Sequence, residues 1–432
     1  MKDKFPIFTK EMKKTHTVLI PNMLPVHFSL IGKILEQEGY NIHILDNEGP
    51  EIVEAGLKYV HNDMCYPAII VIGQMIAALN SGKFDKDKTA LLISQTGGGC
   101  RASNYLHLLR KALIKAGYPQ VPVISLNVAN LDEQPGFKLT SSILLKAMTA
   151  IVVGDFIMMI KNQCEPYEIN SGDTKAVVEK WQRFFLKRWE KSGFMLFKGL
   201  GKYYKEVLSD FAEIPMEKTP RPRVGIVGEI FVKYAPVGNN HLEEFLVSEG
   251  AEVVVPGLLD FCLYCVYNGI VDQKLYGGSA IRATVVKWVY KYLIGMQKKM
   301  YDTVKNHGMF SAPLGFDEKK DLTEDYIGQG VKMGEGWLLT SEMAELIKEG
   351  VTNIVCTQPF GCLPNHIVAK GMENKIKAIH PEANIIAVDY DPGASKVNQQ
   401  NRIKLMLANA KAPEIEHKEV APQIHTGKNL NI

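Results

Sequence analysis

Three cysteines in this sequence stand beside residues that break regular structure, where a thiolate can serve as a ligand or nucleophile rather than as core filler. They are Cys65 in HNDMCYP, Cys100 in SQTGGGCR and Cys356 in NIVCTQPFGC. A fourth, Cys362, closes that last stretch and precedes Leu363-Pro364-Asn365, which reads as a helix start. Asn353 to Cys356 reads as a short buried parallel strand. Ligands of open α/β sheets sit outside the carboxyl ends of strands, so Cys356 stands where a cofactor would be held. Together the cysteines predict one shared cluster site. Cys100 also has Arg101 beside it and three preceding glycines, whose backbone N–H groups can donate to cluster sulfurs and so set a potential.

The competing readings are plainer. A free cysteine is also a small, well-buried hydrophobe, and Cys164, in NQCEPYE with no partner motif, is read that way. A structural zinc site needs paired C-x2-C motifs or a histidine pair; only Cys262-Leu-Tyr-Cys265 qualifies, and it lacks a second half. His366 lies four residues after Cys362 and His61 four before Cys65, so both are within reach of the site. No G-x4-G-K-[ST] occurs, and no G-x-G-x-x-G follows a strand, which assigns any ATP chemistry to another protein. Glu229, Lys233, Tyr234, Asn239 and Asn240 follow a strand and are candidates for lining a cleft. Asp389-Tyr-Asp391-Pro-Gly393 reads as a strand-end turn. On the helix after it Ser395, Asn398 and Arg402 share one face, which is free for an anion, a partner or solvent.

The elements that must position these groups alternate. Strands are expected at His16–Ile20, Tyr40–Leu45, Thr89–Ser94 and Val121–Leu126, with helices at Pro25–Gly39, Pro67–Asn80 and Ser103–Gly117. From about 141 to 211 strand signals give way to helical ones, with a solvated Lys/Arg face along Lys180–Lys191. Glu213–Arg223 reads as a linker. The alternation then restarts with strands at Arg223–Glu229, Glu252–Val255, Asn353–Cys356 and Ala383–Val388. Helices are expected at Asn240–Gly250, Ala280–His307, Gly334–Gly350, Leu363–Ala378 and Ser395–Ala410. This pattern predicts an α/β protein with two Rossmann-like, mostly parallel-sheet domains and a helical segment between them. The division is a polar leader at 1–14, a first domain at 15–140, helices and linker at 141–220, a second domain at 221–410 and a polar tail at 411–432. Cysteines fall in both halves, so a cluster ligated from both sits in the inter-domain cleft.

Bulk properties narrow the classes. The 432 residues suit two or three domains. Fifty basic residues against 47 acidic ones give a net charge of +3, which points to neither nucleic acid nor an anionic membrane. The start, MKDKFPIFTKEMKK, has no apolar signal-like region. Ile143–Ile160, interrupted by Lys146 and Asp155, falls short of the roughly 20 residues of a span. A cytoplasmic location is expected, and an odd cysteine count of seven favours thiols or metal ligands over disulfides.

The motifs HNDMCYPA, QTGGGCRASNY, VGEIFVKYAPVGNN, CTQPFGCLPNHI and DYDPGASKVNQQNR, in that order, resemble the 2-hydroxyacyl-CoA dehydratase-related proteins, and among them the acyl-CoA dehydratase activase-related branch. The resemblance runs from about residue 5 to 410. It implies two Rossmann-like domains around an oxygen-sensitive [4Fe–4S] cluster held by three cysteines, with one iron free for substrate or water. An ATP-hydrolysing iron–sulfur activator would supply the low-potential electron. By the same resemblance Cys65, Cys100 and Cys356 are ligands, with Cys362 a fourth candidate and Arg101 and Gln358 supporting residues. In double-cubane relatives an [8Fe–9S] cluster needs more thiolates, and Cys262, Cys265 and Cys362 would supply them. The implied activity is a 2-hydroxyacyl-CoA dehydratase-like or ATP-dependent reductive reaction on an acyl-CoA or small molecule, with a homodimer allowed. No residues specify a CoA pocket. Two other readings stay open: a non-redox two-lobed ligand-binding module and a zinc-stabilised accessory subunit.

Overall fold

The computed structural model describes residues 5–94, 99–126, 134–190 and 199–410. Gly97 and Gly98 of the expected glycine triplet, and the polar tail, lie outside these residues. All eight expected strands are present: β1 (Thr17–Pro21), β2 (Asn41–Leu45), β3 (Thr89–Ser94), β4 (Val123–Leu126), β5 (Arg223–Gly228), β6 (Glu252–Val254), β7 (Asn353–Pro359) and β8 (Asn384–Tyr390). They form two four-stranded sheets, each wholly parallel. The orders are β2-β1-β3-β4 and β6-β5-β7-β8, so the same winding occurs twice. In each sheet the order reverses between its first and third strands, which opens a crevice at their carboxyl ends.

One boundary changes the reading of the site. β7 runs to Pro359 instead of stopping at Cys356, because Thr357, Gln358 and Pro359 continue the ladder opposite Val388, Asp389 and Tyr390. Cys356 therefore sits in mid-strand. The helical expectations needed more revision. A Pro50–Tyr59 helix precedes the Cys65 loop, where the sequence pattern shows no clear element. The Leu258–Tyr276 helix carries no periodic signal in the sequence, because its apolar residues follow no single face. The helix expected over Leu363–Ala378 is divided into Leu363–Val368, a short 3-10 turn and Glu373–Ile379.

The Tyr66–Asn80 helix is buried on every side except at Asn80. It carries one continuous apolar core from β1 and β3 across to β5, β7 and β8. A second core gathers the helices Ser141–Cys164, Asp173–Glu190, Leu200–Ala212 and Ala280–His307. Cys164 is fully enclosed in it, as its lack of a motif suggests. The Ser141–Cys164 helix is longer than expected from the sequence and is, by length and composition, apolar enough to cross a membrane; 67% of its most apolar window is buried inside the protein.

Its two charged interruptions explain that burial. Lys146 pairs with Glu38 at 2.8 Å. Asp155, 4% exposed, accepts from three groups: His27 Nε2 at 2.8 Å, and the backbone N–H groups of Leu258 and Leu259 at 2.8 and 2.7 Å. One carboxylate thus caps the Leu258–Tyr276 helix from outside and ties it to the Pro25–Gln37 helix. Removing it leaves the buried donors without an acceptor. Asp155→Ala is expected to cost roughly 3–5 kcal/mol, read as a shift in urea midpoint, whereas Lys180→Ala at the exposed Asp210 pair should stay within about 1 kcal/mol.

Candidate functional site

Three of the expected cysteines occupy the same local position. Cys65 is the N-cap of the Tyr66–Asn80 helix, Cys100 of the Arg101–Asn104 turn and Cys362 of the Leu363–Val368 helix. All three have extended backbone, and none uses its side chain as a cap. Pro67 and Pro364 set the first turns of two of these helices, where a missing N–H costs nothing. Cys100 follows β3 and Cys362 follows β7, which are equivalent places in the two windings.

These loops meet. Tyr66 donates its backbone N–H to the Phe360 carbonyl at 2.9 Å, joining the first lobe to the loop after β7. Gly361 has φ +72°, and a Cβ there would lie 3.0 Å from Cys65 Cα and 3.1 Å from Arg101 Nη1. Only glycine suits that backbone and that approach. Arg101 Nη1 donates to the Asp63 carbonyl at 2.5 Å, so one guanidinium bridges the Cys65 and Cys100 loops and borders the Cys362 loop. On the far side, a Cβ on Gly334 would lie 3.1 Å from the Pro364 ring and 3.9 Å from Cys100 Sγ. Tyr105 Oη lies 3.1 Å from Cys65 Sγ.

Two buried carboxyls complete the group. Glu229 caps the short Ile230–Tyr234 helix, accepting from Val232 N–H at 2.9 Å through Oε2. Glu335 Oε1 accepts from Ile230 N–H at 2.8 Å. Burial, then the nearby Glu335 carboxyl, pushes Glu229 up to about 8. Burial likewise raises Glu335. Burial raises the Cys65 thiol, against the Tyr105 hydrogen bond that lowers it, with Glu229 and Cys100 adding to the rise. Cys362 is raised by burial and then by Glu229, Glu335 and, more weakly, Cys100. Cys65, Cys100 and Cys362 thus share one electrostatic neighbourhood.

Cys356 stands apart from it. Its side chain packs in the core formed with Met343, Ala344 and Ile354, and its thiol donates to Asn365 Oδ1 at 3.6 Å. After burial, the charges that act on it are Glu373, Lys370, Glu342 and Asp389, none of which borders the other thiols. β7 runs on through Pro359, so Cys356 lies within the strand and Cys362 in the turn that follows it. Gln358 Nε2 reaches His366 Nδ1 at 2.7 Å, and His366 in turn contacts the Cys362 carbonyl at 2.8 Å. His61 is exposed beside Asp63. Cys262 is half-buried and Cys265 exposed along the Leu258–Tyr276 helix. Glu335 is the charged neighbour that Cys265 shares with Cys362.

Of the polar group after β5, only Glu229 reaches the thiols. Lys233 is paired with Glu342 at 2.8 Å, Tyr234 donates to the Pro256 carbonyl at 2.7 Å, and Asn239 braces the backbone around Val232 and Leu242. Asn240 binds Gln399 at 2.8 Å. Ser395, Asn398 and Arg402 are exposed, with Arg402 set against Asp389, and Asp391 closes its turn onto Gly393 N–H at 2.7 Å. Sequence reasoning gave no role to Tyr105, Glu335 or Gly361. Tyr105 lies five residues after Cys100, and Gly361 immediately precedes Cys362. Glu335, in MGEGW, carries no signal of its own.

No family model and no curated protein matches the chain. Among the described residues no three His, Cys, Asp or Glu side chains lie close enough to hold a single metal ion. Thiolates on a polynuclear cluster bind separate irons and stand further apart than ligands of one ion, so this spacing bears on zinc more than on a cluster.

The carboxyl pair predicts a pH signature in metal-free protein. A carboxyl raised on folding binds a proton that the unfolded chain has released. Its contribution is therefore full below the ordinary carboxyl range and is lost as pH rises towards about 8. Urea midpoints should fall across this window, and Glu229→Gln should flatten the fall.

Proposed function

We propose that the protein binds an iron–sulfur cluster through Cys65, Cys100 and Cys362, in the cleft between its two α/β lobes. What supports this reading is one observation: three cysteines, drawn from both lobes, cap helices whose first turns meet around Gly361 and Arg101. A helix N-terminus favours a thiolate over a thiol, and three thiolates suit an Fe–S centre. The thiols are held up by burial in the absence of a compensating charge, which is the setting in which a bound metal drives deprotonation outright.

Such a cluster, with one iron left without a protein ligand, supplies low-potential one-electron chemistry to a dehydration or reduction. The resemblance assigns the electron to an ATP-hydrolysing activator and the substrate to an acyl-CoA or another small molecule. The chain's own residues would do the rest. The Tyr105 hydroxyl donates to the Cys65 sulfur, and Arg101 holds the Cys65 and Cys100 loops in register. Glu229 engages the backbone through Oε2, and burial beside the thiols raises its carboxyl. Single-cubane binding needs the three N-cap thiols alone. A double cubane would also enlist Cys262 and Cys265.

The choice between Cys356 and Cys362 is the discriminating experiment. After anaerobic reconstitution the protein should be brown, with about four irons and matching sulfide, or about eight for a double cubane. Cys65→Ala, Cys100→Ala and Cys362→Ala should each lose most of the iron, and Cys356→Ala should keep it. A colourless, iron-free wild-type protein would overturn the proposal, as would iron loss in Cys356→Ala with retention in Cys362→Ala.

A further inference from the structure

A cavity of about 290 Å³ lies at the opposite end of the second sheet from the thiols. Arg223 begins β5, Glu252 begins β6 and Glu349 lies shortly before β7; all three line it, together with residues of the Ser141–Cys164 and Ala280–His307 helices. It opens beside the exposed Ser311. Its volume is at the lower end for small-ligand sites.

The charges of its wall do not balance. Asp155, Asp260, Glu252, Glu345 and Glu349 line it against Arg223 and Lys319. Most of these carboxylates are already engaged. Asp155 caps a helix, as described above. Glu252 takes Arg223 Nε at 3.2 Å and the Tyr167 hydroxyl at 2.7 Å. Glu349 Oε1 accepts from Leu314 N–H at 2.5 Å, and Asp260 takes Gln297 Nε2 and Lys319 Nζ at 2.7 and 2.5 Å.

Glu345 is the exception. Its Oε2 meets Lys319 Nζ at 2.5 Å, but Oε1 has no hydrogen-bond partner among the described residues, although the side chain is only 3% exposed. Leaving a buried charged acceptor unpaired is costly. Burial of Glu345, and of Glu349 beside it, raises both carboxyls. The Tyr301 hydroxyl in the same wall is raised by burial and then by Asp260, Glu345, Asp155 and Glu349, so all four carboxylates lie within electrostatic reach of it. β6 is an edge strand, and one row of its backbone groups has no strand partner. The remaining wall is apolar and adaptable, with Met158, Met159 and Met300.

We propose that this cavity binds a small organic cation, a primary ammonium on a short aliphatic chain, with Glu345 Oε1 as its anchoring acceptor. An ammonium offers several donors to carboxylate and carbonyl oxygens, and the methionines accept the chain. A bare metal ion fits less well, because among the described residues no three carboxylates gather around one point closely enough to ligate it. The site is independent of the cysteine cluster.

The test uses n-butylammonium chloride as the probe, with n-butanol as its neutral counterpart and potassium and calcium chloride as ionic controls. Thermal unfolding and titration calorimetry of the full chain should show saturable stabilisation by n-butylammonium alone. Glu345→Gln should weaken that binding about tenfold or more. Should this variant fail to fold, Met159→Trp, which adds bulk to the wall without removing a charged group, should abolish the response. The proposal is overturned if butanol stabilises equally, if calcium binds in place of the amine, if no saturable response occurs, or if the folded Glu345→Gln variant binds unchanged. Retained binding in Met159→Trp overturns it as well.

Discussion

Two loops from different lobes can hold cysteines side by side only if the backbone at their crossing carries nothing in the way. Gly361 meets that requirement: its left-handed backbone turns the chain after β7, and its missing side chain admits the Cys65 backbone. The Tyr66 N–H to Phe360 carbonyl bond then fixes the approach. Everything proposed for the thiols depends on this contact, because each cysteine belongs to a different loop. A glycine, one backbone hydrogen bond and the Arg101 guanidinium turn three separate helix starts into a single neighbourhood.

That contact is local, and the lobes are held on a larger scale by buried ions. Asp155 joins the Pro25–Gln37 and Leu258–Tyr276 helices through three accepted hydrogen bonds. Lys319 sits between Asp260 and Glu345, and Lys233 against Glu342. Pairs of this kind are weak evidence for net stability, since desolvation offsets much of their attraction, but breaking one is expensive. Their value here is geometric. They define how the helices that fill the space between the sheets must pack, and so where the two sheets present their carboxyl ends. The cost of that arrangement surfaces at Glu345, whose second oxygen has no donor among the described residues.

The two sheets share one winding, and this gives the cysteines their symmetry. Cys100 and Cys362 follow the third strand of their respective sheets, at the place where strand order reverses. Glu229 follows the first strand of the second sheet, across that same crevice. Glu229 is buried there beside the thiols, and that burial raises its carboxyl.

Sequence alone determined the alternation of strands and helices, down to all eight strands, because apolar runs bounded by glycine and proline are a local signal. It also singled out Cys65, Cys100 and Cys356 by their turn-forming neighbours, with Cys362 as a fourth candidate, and set Cys164 aside for want of a partner motif. Which cysteines face each other was decided only by the tertiary structure. β7 continues through Thr357, Gln358 and Pro359 because β8 offers them partners, and that pairing is not written in residues 353–359. Three more residues of strand leave Cys356 in mid-strand, within the core, and Cys362 in the turn after it. Glu335 and Tyr105 escaped notice for the same reason: their chemistry comes from what lies across from them, and distance in space leaves no mark on distance along the chain.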